Sequence, residues 1–170
     1  MIGKKLERAE CFHEAPANST SLSKMAISSL LTDPLFLGAL LLPAVVAALL
    51  VMSGYSEFSH HWLADRPKAI LWYVLLLPVV EELAFRGWLQ GQLSKTTYQR
   101  YVTLPGLTFA NILTSTLFSL LHIVQQPSFW AAATIFPSLI FGFFRDRYQS
   151  VIPGMVLHIV YNTGFLLLTF

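Results

Sequence analysis

Glu81, Glu82, Arg86, His122, His158 and Asn162 are the residues of this chain whose types and spacing could carry hydrolytic chemistry. The first three stand in LPVVEELAFRGWL, residues 77–89, a stretch that otherwise reads as an apolar helix. An ionisable side chain near the centre of a spanning helix costs on the order of 2.5 to 3.5 kcal/mol on insertion scales, so this trio demands partners or water. At about 100° per residue, Glu82 and Arg86 are about 40° apart on the helix surface, with the acid N-terminal to the base, the favoured order for an ion pair. Glu81 points roughly 140° away from Arg86. The angles predict a division of labour in which Arg86 neutralises and fixes Glu82, while Glu81 is left to take and return protons. His122 shares a face with Asn111, Ser115 and Phe118, and His158 shares another with Asn162, four residues on. An acid, two imidazoles and an amide are the equipment for activating water and stabilising an oxyanion. The same groups also fit a blander reading, in which the acids and Arg86 staple helices together and the histidines and asparagine serve as interhelical hydrogen bonders.

The elements that must position these groups are apolar helices. Of the 170 residues 55% are hydrophobic and 12% charged, and the mean hydropathy is +0.59, outside the balance of soluble domains and in the range of integral membrane proteins. Five apolar stretches stand at 34–53, 69–90, 104–124, 129–144 and 151–170, each near the ~17 to 25 residues that a spanning helix needs, the fourth being the shortest. Continuous runs of Leu, Ala, Val and Phe exclude the alternating segments of a spanning barrel. The expected fold is all-α, a polytopic transmembrane bundle of about five spans over 34–170, preceded by a polar leader at 1–33. That leader lacks the apolar core and cleavage site of a secretory signal, so the first span is expected to stay as an anchor. The single Cys11 forms no internal disulfide and fits a reducing compartment. Pro43, Pro78 and Pro137 fall inside spans and predict kinks.

Lys and Arg between the spans set the orientation. Lys4, Lys5, Arg8, Lys24, Lys95, Arg100, Arg145 and Arg147 fall on one side, against Arg66 and Lys68 on the other, which places the N-terminus in the cytoplasm. The net charge of +2 therefore reports topology, and no basic, aromatic stripe argues for nucleic acid. His60, His61 and Trp62 fall in an outer loop and read as interfacial rings.

Glu81-Glu82-x-x-x-Arg86, Phe118-x-x-x-His122 and His158-x-x-x-Asn162, in that order and each on its own span, resemble the three motifs of the CAAX-protease and bacteriocin-processing family of intramembrane proteases. The FRG after the glutamates and the PGMVLH before His158 are also similar to that family, and the resemblance covers residues 69–165. It implies hydrolysis of a peptide bond in a membrane-anchored protein or peptide, with Glu81 and His122 activating water, His158 with Asn162 holding the oxyanion, and Glu82 with Arg86 organising the site. A short bacterial member in the inner (cell) membrane is implied, acting on C-terminal sorting or CAAX-like signals. Glu81, His122 and His158 also match a common zinc set. The metal-free glutamic mechanism is the one expected here, because His-x-x-x-Asn supplies a donor pair for the oxyanion and no helix carries His-Glu-x-x-His. The rival class is a nonenzymatic membrane scaffold or proton-coupled carrier, although the inverted repeats of a carrier are not evident.

The spans raise a problem of depth. At ~1.5 Å per residue, Glu81 and His158 come out nearer the cytoplasmic side and His122 near the outer end of its span. Either the third span begins deeper than hydropathy suggests, or the turn VQQPS at 124–128 lies in a cavity within the membrane, the expected solution, since irregular backbone is tolerated at depth only where it is buried or faces a cavity.

Overall fold

A computed structural model of the chain describes residues 29–58, 67–95 and 106–169. The leader to residue 28, with Cys11, and the loop holding His60, His61 and Trp62 lie outside the described residues. Helix α1, Pro34–Met52, starts where Asp33 accepts a hydrogen bond from the Leu35 amide at 2.9 Å and Pro34 occupies the first turn, the position where a missing N–H costs nothing. Among the described residues α1 alone is a regular α-helix long and apolar enough to cross a membrane; α3, Phe109–Gln125, and α6, Ile152–Leu166, are apolar but shorter. Between them α2 runs without a break over residues 67–93, roughly 40 Å at ~1.5 Å per residue. It is not uniform: Leu71–Leu76 and Leu83–Leu89 are π-helical, and Leu77–Glu82 between them is α-helical. Such π turns are rare and gather at functional sites.

The fourth apolar stretch is two helices, α4 (Phe129–Ala133) and α5 (Ile135–Tyr148), separated at Thr134. Pro137 has no N–H to offer the Ala133 carbonyl four residues back, which accounts for the break. The third span begins at Phe109, with the Thr108 hydroxyl capping the Asn111 amide, and not at the 104 that hydropathy suggests. The fifth ends at Leu166; residues Leu168–Thr169 leave the helix and pair antiparallel with Glu57–Phe58 as β2 and β1. The fold is thus the expected all-α bundle, closed at one end by a minimal two-stranded ribbon.

Its burial is inverted relative to a soluble protein. Leu41, Val45, Leu49, Val80, Leu120 and Phe136 are exposed, whereas Glu82, Arg86, Gln90, Asn111, Thr114 and Ser138 are fully buried. Apolar outside and polar within suits lipid as the surrounding medium, because polar side chains that join helices turn inward and apolar ones face the hydrocarbon. Helix α5 sits at the centre, packed on both α3 and α6. Its Gly142 is required by close approach, since a Cβ there would collide with the Asn111 side chain, and its carbonyl accepts from Gln90 Nε2 at 3.1 Å. Asn111 Nδ2 reaches the Leu139 carbonyl at 3.0 Å, so α2, α3 and α5 are tied by side-chain amides. Phe36, Phe141, Phe144 and Leu157 form the apolar core between α1, α5 and α6.

One end of the bundle gathers polar pairs. Arg147 Nε lies 2.8 Å from Asp33, and Tyr148 Oη donates to the same carboxylate at 2.7 Å. Thr108 bonds Asp146 at 2.6 Å, and Arg145 holds Asp146 at 2.8 Å and Ser94 at 3.2 Å. Residues 33, 94, 108 and 145–148 are the span ends that the Lys and Arg count places on a single side.

Candidate active site

The α-helical turn Leu77–Glu82 carries both acids, and their surroundings differ as their angles predict. Glu82 is fully buried and its Oε1 stands 3.0 Å from Arg86 Nη1. Arg86, also fully buried, donates through Nη2 to the Ser138 carbonyl at 3.1 Å and to the Ser138 hydroxyl. Its guanidinium lies over the Phe118 ring at 4.7 Å and near the Phe141 ring at 5.6 Å, so two aromatic faces complete a cage for the cation. Gly154 of α6 lets the backbone close over Glu82, since a Cβ there would come within 2.6 Å of Oε2.

Glu82 is more than half of an ion pair, however. His158 Nδ1 lies 3.1 Å from the same Oε1, and His158 Nε2 lies 3.6 Å from Glu81 Oε2. A chain Arg86–Glu82–His158–Glu81 therefore joins α2 to α6. Glu82 thus does more than pair with Arg86: its carboxylate also fixes His158, because a carboxylate accepts and the ring nitrogen facing it must donate. Glu81 ends the chain with its side chain 19% exposed, against zero for Glu82. Of the two acids, Glu81 is the one that is partly exposed.

His122 lies on the last turn of α3, its Nδ1 3.0 Å from the Phe118 carbonyl. A carbonyl can only accept, so Nδ1 carries a proton and, in the neutral ring, Nε2 is left with its lone pair. Phe118 sits between the histidines, its centroid 4.4 Å from the His122 ring and 5.8 Å from the His158 ring. Both histidines are close enough to Glu81 to interact with its charge. Asn162 is one helical turn beyond His158, and its Nδ2 donates to the Tyr73 carbonyl at 3.0 Å, in the first π turn of α2.

Two features bear on the depth of His122: α3 begins at Phe109, later than hydropathy suggests, and a cavity lies beyond its end. Helix α3 stops at Gln125, and a cavity of about 500 Å³ lies beyond it, lined by Gln125, Gln126 and Ser128 together with apolar side chains such as Val46 and Trp130. His122 and Asn162 line this cavity and Glu81 and His158 do not, so the cavity flanks the acid–imidazole chain on one side. As to metal, among the described residues no three His, Cys, Asp or Glu side chains are grouped to hold an ion. Both nitrogens of His158 face carboxylates.

Sequence reasoning missed the contributions of α5. Ser138 holds Arg86, and Phe141 stacks on His158 with centroids 5.0 Å apart. A serine and a phenylalanine in an apolar helix give no signal by themselves. The second and fifth apolar stretches touch as expected, whereas α3 reaches α6 through the Phe118 ring while both helices pack on α5.

The family described as type II CAAX prenyl endopeptidase Rce1-like matches residues 63–164. No curated protein and no solved structure matches the chain. The matched region takes in α2 through nearly all of α6, the segment that carries every residue of the acid–imidazole chain, and the protein is accordingly a member of the Rce1-like CAAX endopeptidase family, a family of membrane-embedded proteases.

Proposed function

We propose that this protein is an intramembrane endopeptidase that hydrolyses a peptide bond in a membrane-anchored protein or peptide, using water held between Glu81 and His122. The observation that carries the reading is the partly exposed Glu81 carboxylate beside His158, an imidazole that a buried ion pair fixes. Glu81 accepts a proton from the water as its oxygen adds to the scissile carbonyl carbon, and the Nε2 lone pair of His122 orients that water. The carbonyl oxygen becomes an oxyanion, met by the Asn162 amide and by an N–H at His158 Nε2, which at 3.6 Å is beyond hydrogen-bond distance of Glu81. The carbon–nitrogen bond then breaks, the proton held by Glu81 passes to the leaving amine, and an acid and an amine result. Glu82 and Arg86 touch no reacting atom in this scheme and serve as positioning residues for His158.

The cavity beside His122 and Asn162 suits the substrate segment flanking the scissile bond, since apolar walls accept a membrane-derived chain and Gln125 and Gln126 offer hydrogen bonds to its backbone. Substrates with C-terminal sorting or CAAX-like signals fit a site reached from within the bilayer. The N-terminus is assigned to the cytoplasmic face of a bacterial inner membrane, following the Lys and Arg count. Residues 34–170 would constitute the protease domain.

The test compares the membrane proteomes of cells carrying the wild type or Glu81→Gln. An uncleaved membrane protein accumulating only in the variant, with kcat of the purified variant down roughly 10² to 10⁴-fold, is the expected result. Normal processing by a folded Glu81→Gln protein refutes the role of Glu81. In the same assay, strong chelation should leave the wild-type rate unchanged; activity lost on stripping and restored by zinc would replace the glutamic mechanism.

A further inference from the structure

Pro78 stands in the middle of α2, fully buried, three residues before Glu81. A proline inside a helix removes one hydrogen bond and crowds the carbonyl four residues back. Around it the helix widens, and the Leu77 amide reaches back five residues to the Trp72 carbonyl. In that π register the next carbonyl, that of Tyr73, is matched to the amide of residue 78, which a proline does not have. The Tyr73 carbonyl does not stay orphaned, because Asn162 Nδ2 donates to it at 3.0 Å across 89 positions of sequence.

We infer that Pro78 is a positioning residue, which acts by keeping the Tyr73 carbonyl free to hold the Asn162 amide. This rests on the proposed role of Asn162 as an oxyanion donor. An amide nitrogen carries two hydrogens; the Tyr73 carbonyl takes one, which fixes the flip of the amide, and the other is left for the reacting oxygen. His158 is anchored by Glu82 on the same helix α2. Both donors on α6 are thus aimed by α2, one by a carboxylate and one by a carbonyl that the proline releases.

The consequence runs against the ordinary effect of proline in a helix. Pro78→Ala restores an N–H that competes for the Tyr73 carbonyl, so the helix gains a hydrogen bond while Asn162 loses its anchor. The substrate for the assay is a peptide carrying the cleavage sequence of the protein that accumulates in Glu81→Gln membranes, with enzyme in lipid nanodiscs. We expect Pro78→Ala to melt at the wild-type temperature or above, to keep KM within about twofold, and to lose about 10- to 100-fold in kcat, as for a donor displaced from its working geometry. Adding Asn162→Ala to Pro78→Ala should make the enzyme no slower than Asn162→Ala alone. Wild-type kcat in Pro78→Ala beside a slow Asn162→Ala overturns the inference and leaves the proposed function standing. A lowered melting temperature in Pro78→Ala assigns the proline to packing and overturns it as well, as do losses that multiply in the double variant. Wild-type kcat in Asn162→Ala removes the donor role itself, and the inference with it.

Discussion

Arg86–Glu82 and Arg147–Asp33 are chemically the same contact, 3.0 Å and 2.8 Å long, set in opposite surroundings. The first is fully buried on both sides, whereas Arg147 is 47% exposed and folds over a carboxylate that caps α1. Burial decides what each pair must be given. Inside the bundle both side chains are fully buried, so the site supplies Ser138 and the Phe141 ring from α5, the Phe118 ring from α3 and His158 from α6. At the end of the bundle Tyr148 and the Leu35 amide suffice. A buried pair is weak evidence for stability, since desolvation can exceed the Coulombic gain. Its retention here is explained by use: the carboxylate that neutralises Arg86 is the one that fixes His158. The end pair has no such second task, and it fastens the start of α1 to the end of α5.

The contrast is broken most severely by Glu82→Gln. Arg86 then keeps its buried charge without a counter-ion, a change that costs about 3 to 5 kcal/mol when one partner of a buried pair is removed. Unfolding of the detergent-solubilised protein should register it, and a variant as stable as the wild type would show that water reaches Arg86 after all. Ser138→Ala is milder, because Arg86 Nη2 retains the Ser138 carbonyl at 3.1 Å and loses only the hydroxyl. A hydrogen bond to a charged group is worth about 1.5 to 3 kcal/mol. The loss should appear in the same melt with turnover reduced less than by Glu82→Gln; equal losses in the two variants would mean that α5 and not Glu82 holds the arginine.

Asp33→Asn is expected to have the smallest effect, leaving turnover unchanged and lowering the melting temperature less than either interior variant. Its pH dependence sharpens the comparison. The Tyr148 hydroxyl foremost, then the Leu35 amide and Arg147, hold the Asp33 carboxyl below its ordinary range against the opposing cost of desolvation. A carboxyl depressed in the folded state contributes stability that is fully present above its unfolded value, near 3.9, and is lost as pH falls through the folded value. The gap in melting temperature between wild type and Asp33→Asn should be constant from about pH 7 to pH 5 and should close below about pH 4. A gap that already closes between pH 7 and 5 would mean that another titrating group controls this end.

Local geometry was legible because it depends on spacing alone. Glu82 and Arg86 pair at i, i+4 in the helix that their sequence specifies, and the His122 ring bonds the Phe118 carbonyl four residues back. The apolar stretches located the helices, and the charge count put residues 33, 94, 108 and 145–148 at one end. Boundaries were less legible: capping by Thr108 starts α3 later than hydropathy indicates, and Pro137 splits the fourth stretch in two. Hydropathy measures preference for lipid and is blind to where a backbone hydrogen bond is missing.

By itself the sequence determined the fold class, the separation of Glu81 from Glu82 by angle, and the pairing of Glu82 with Arg86, because composition, period and i, i+4 spacing act over a few residues and follow from helix geometry. Only the tertiary structure decided that Glu82 also serves His158, that Ser138 and Phe141 support the site from α5, and that Asn162 is held by the Tyr73 carbonyl. Those contacts span 52 to 89 positions for the three that are hydrogen bonds. Each depends on how helices are rotated and set in depth against one another, which packing and the need to satisfy buried polar groups select in the assembled bundle and which no single helix specifies.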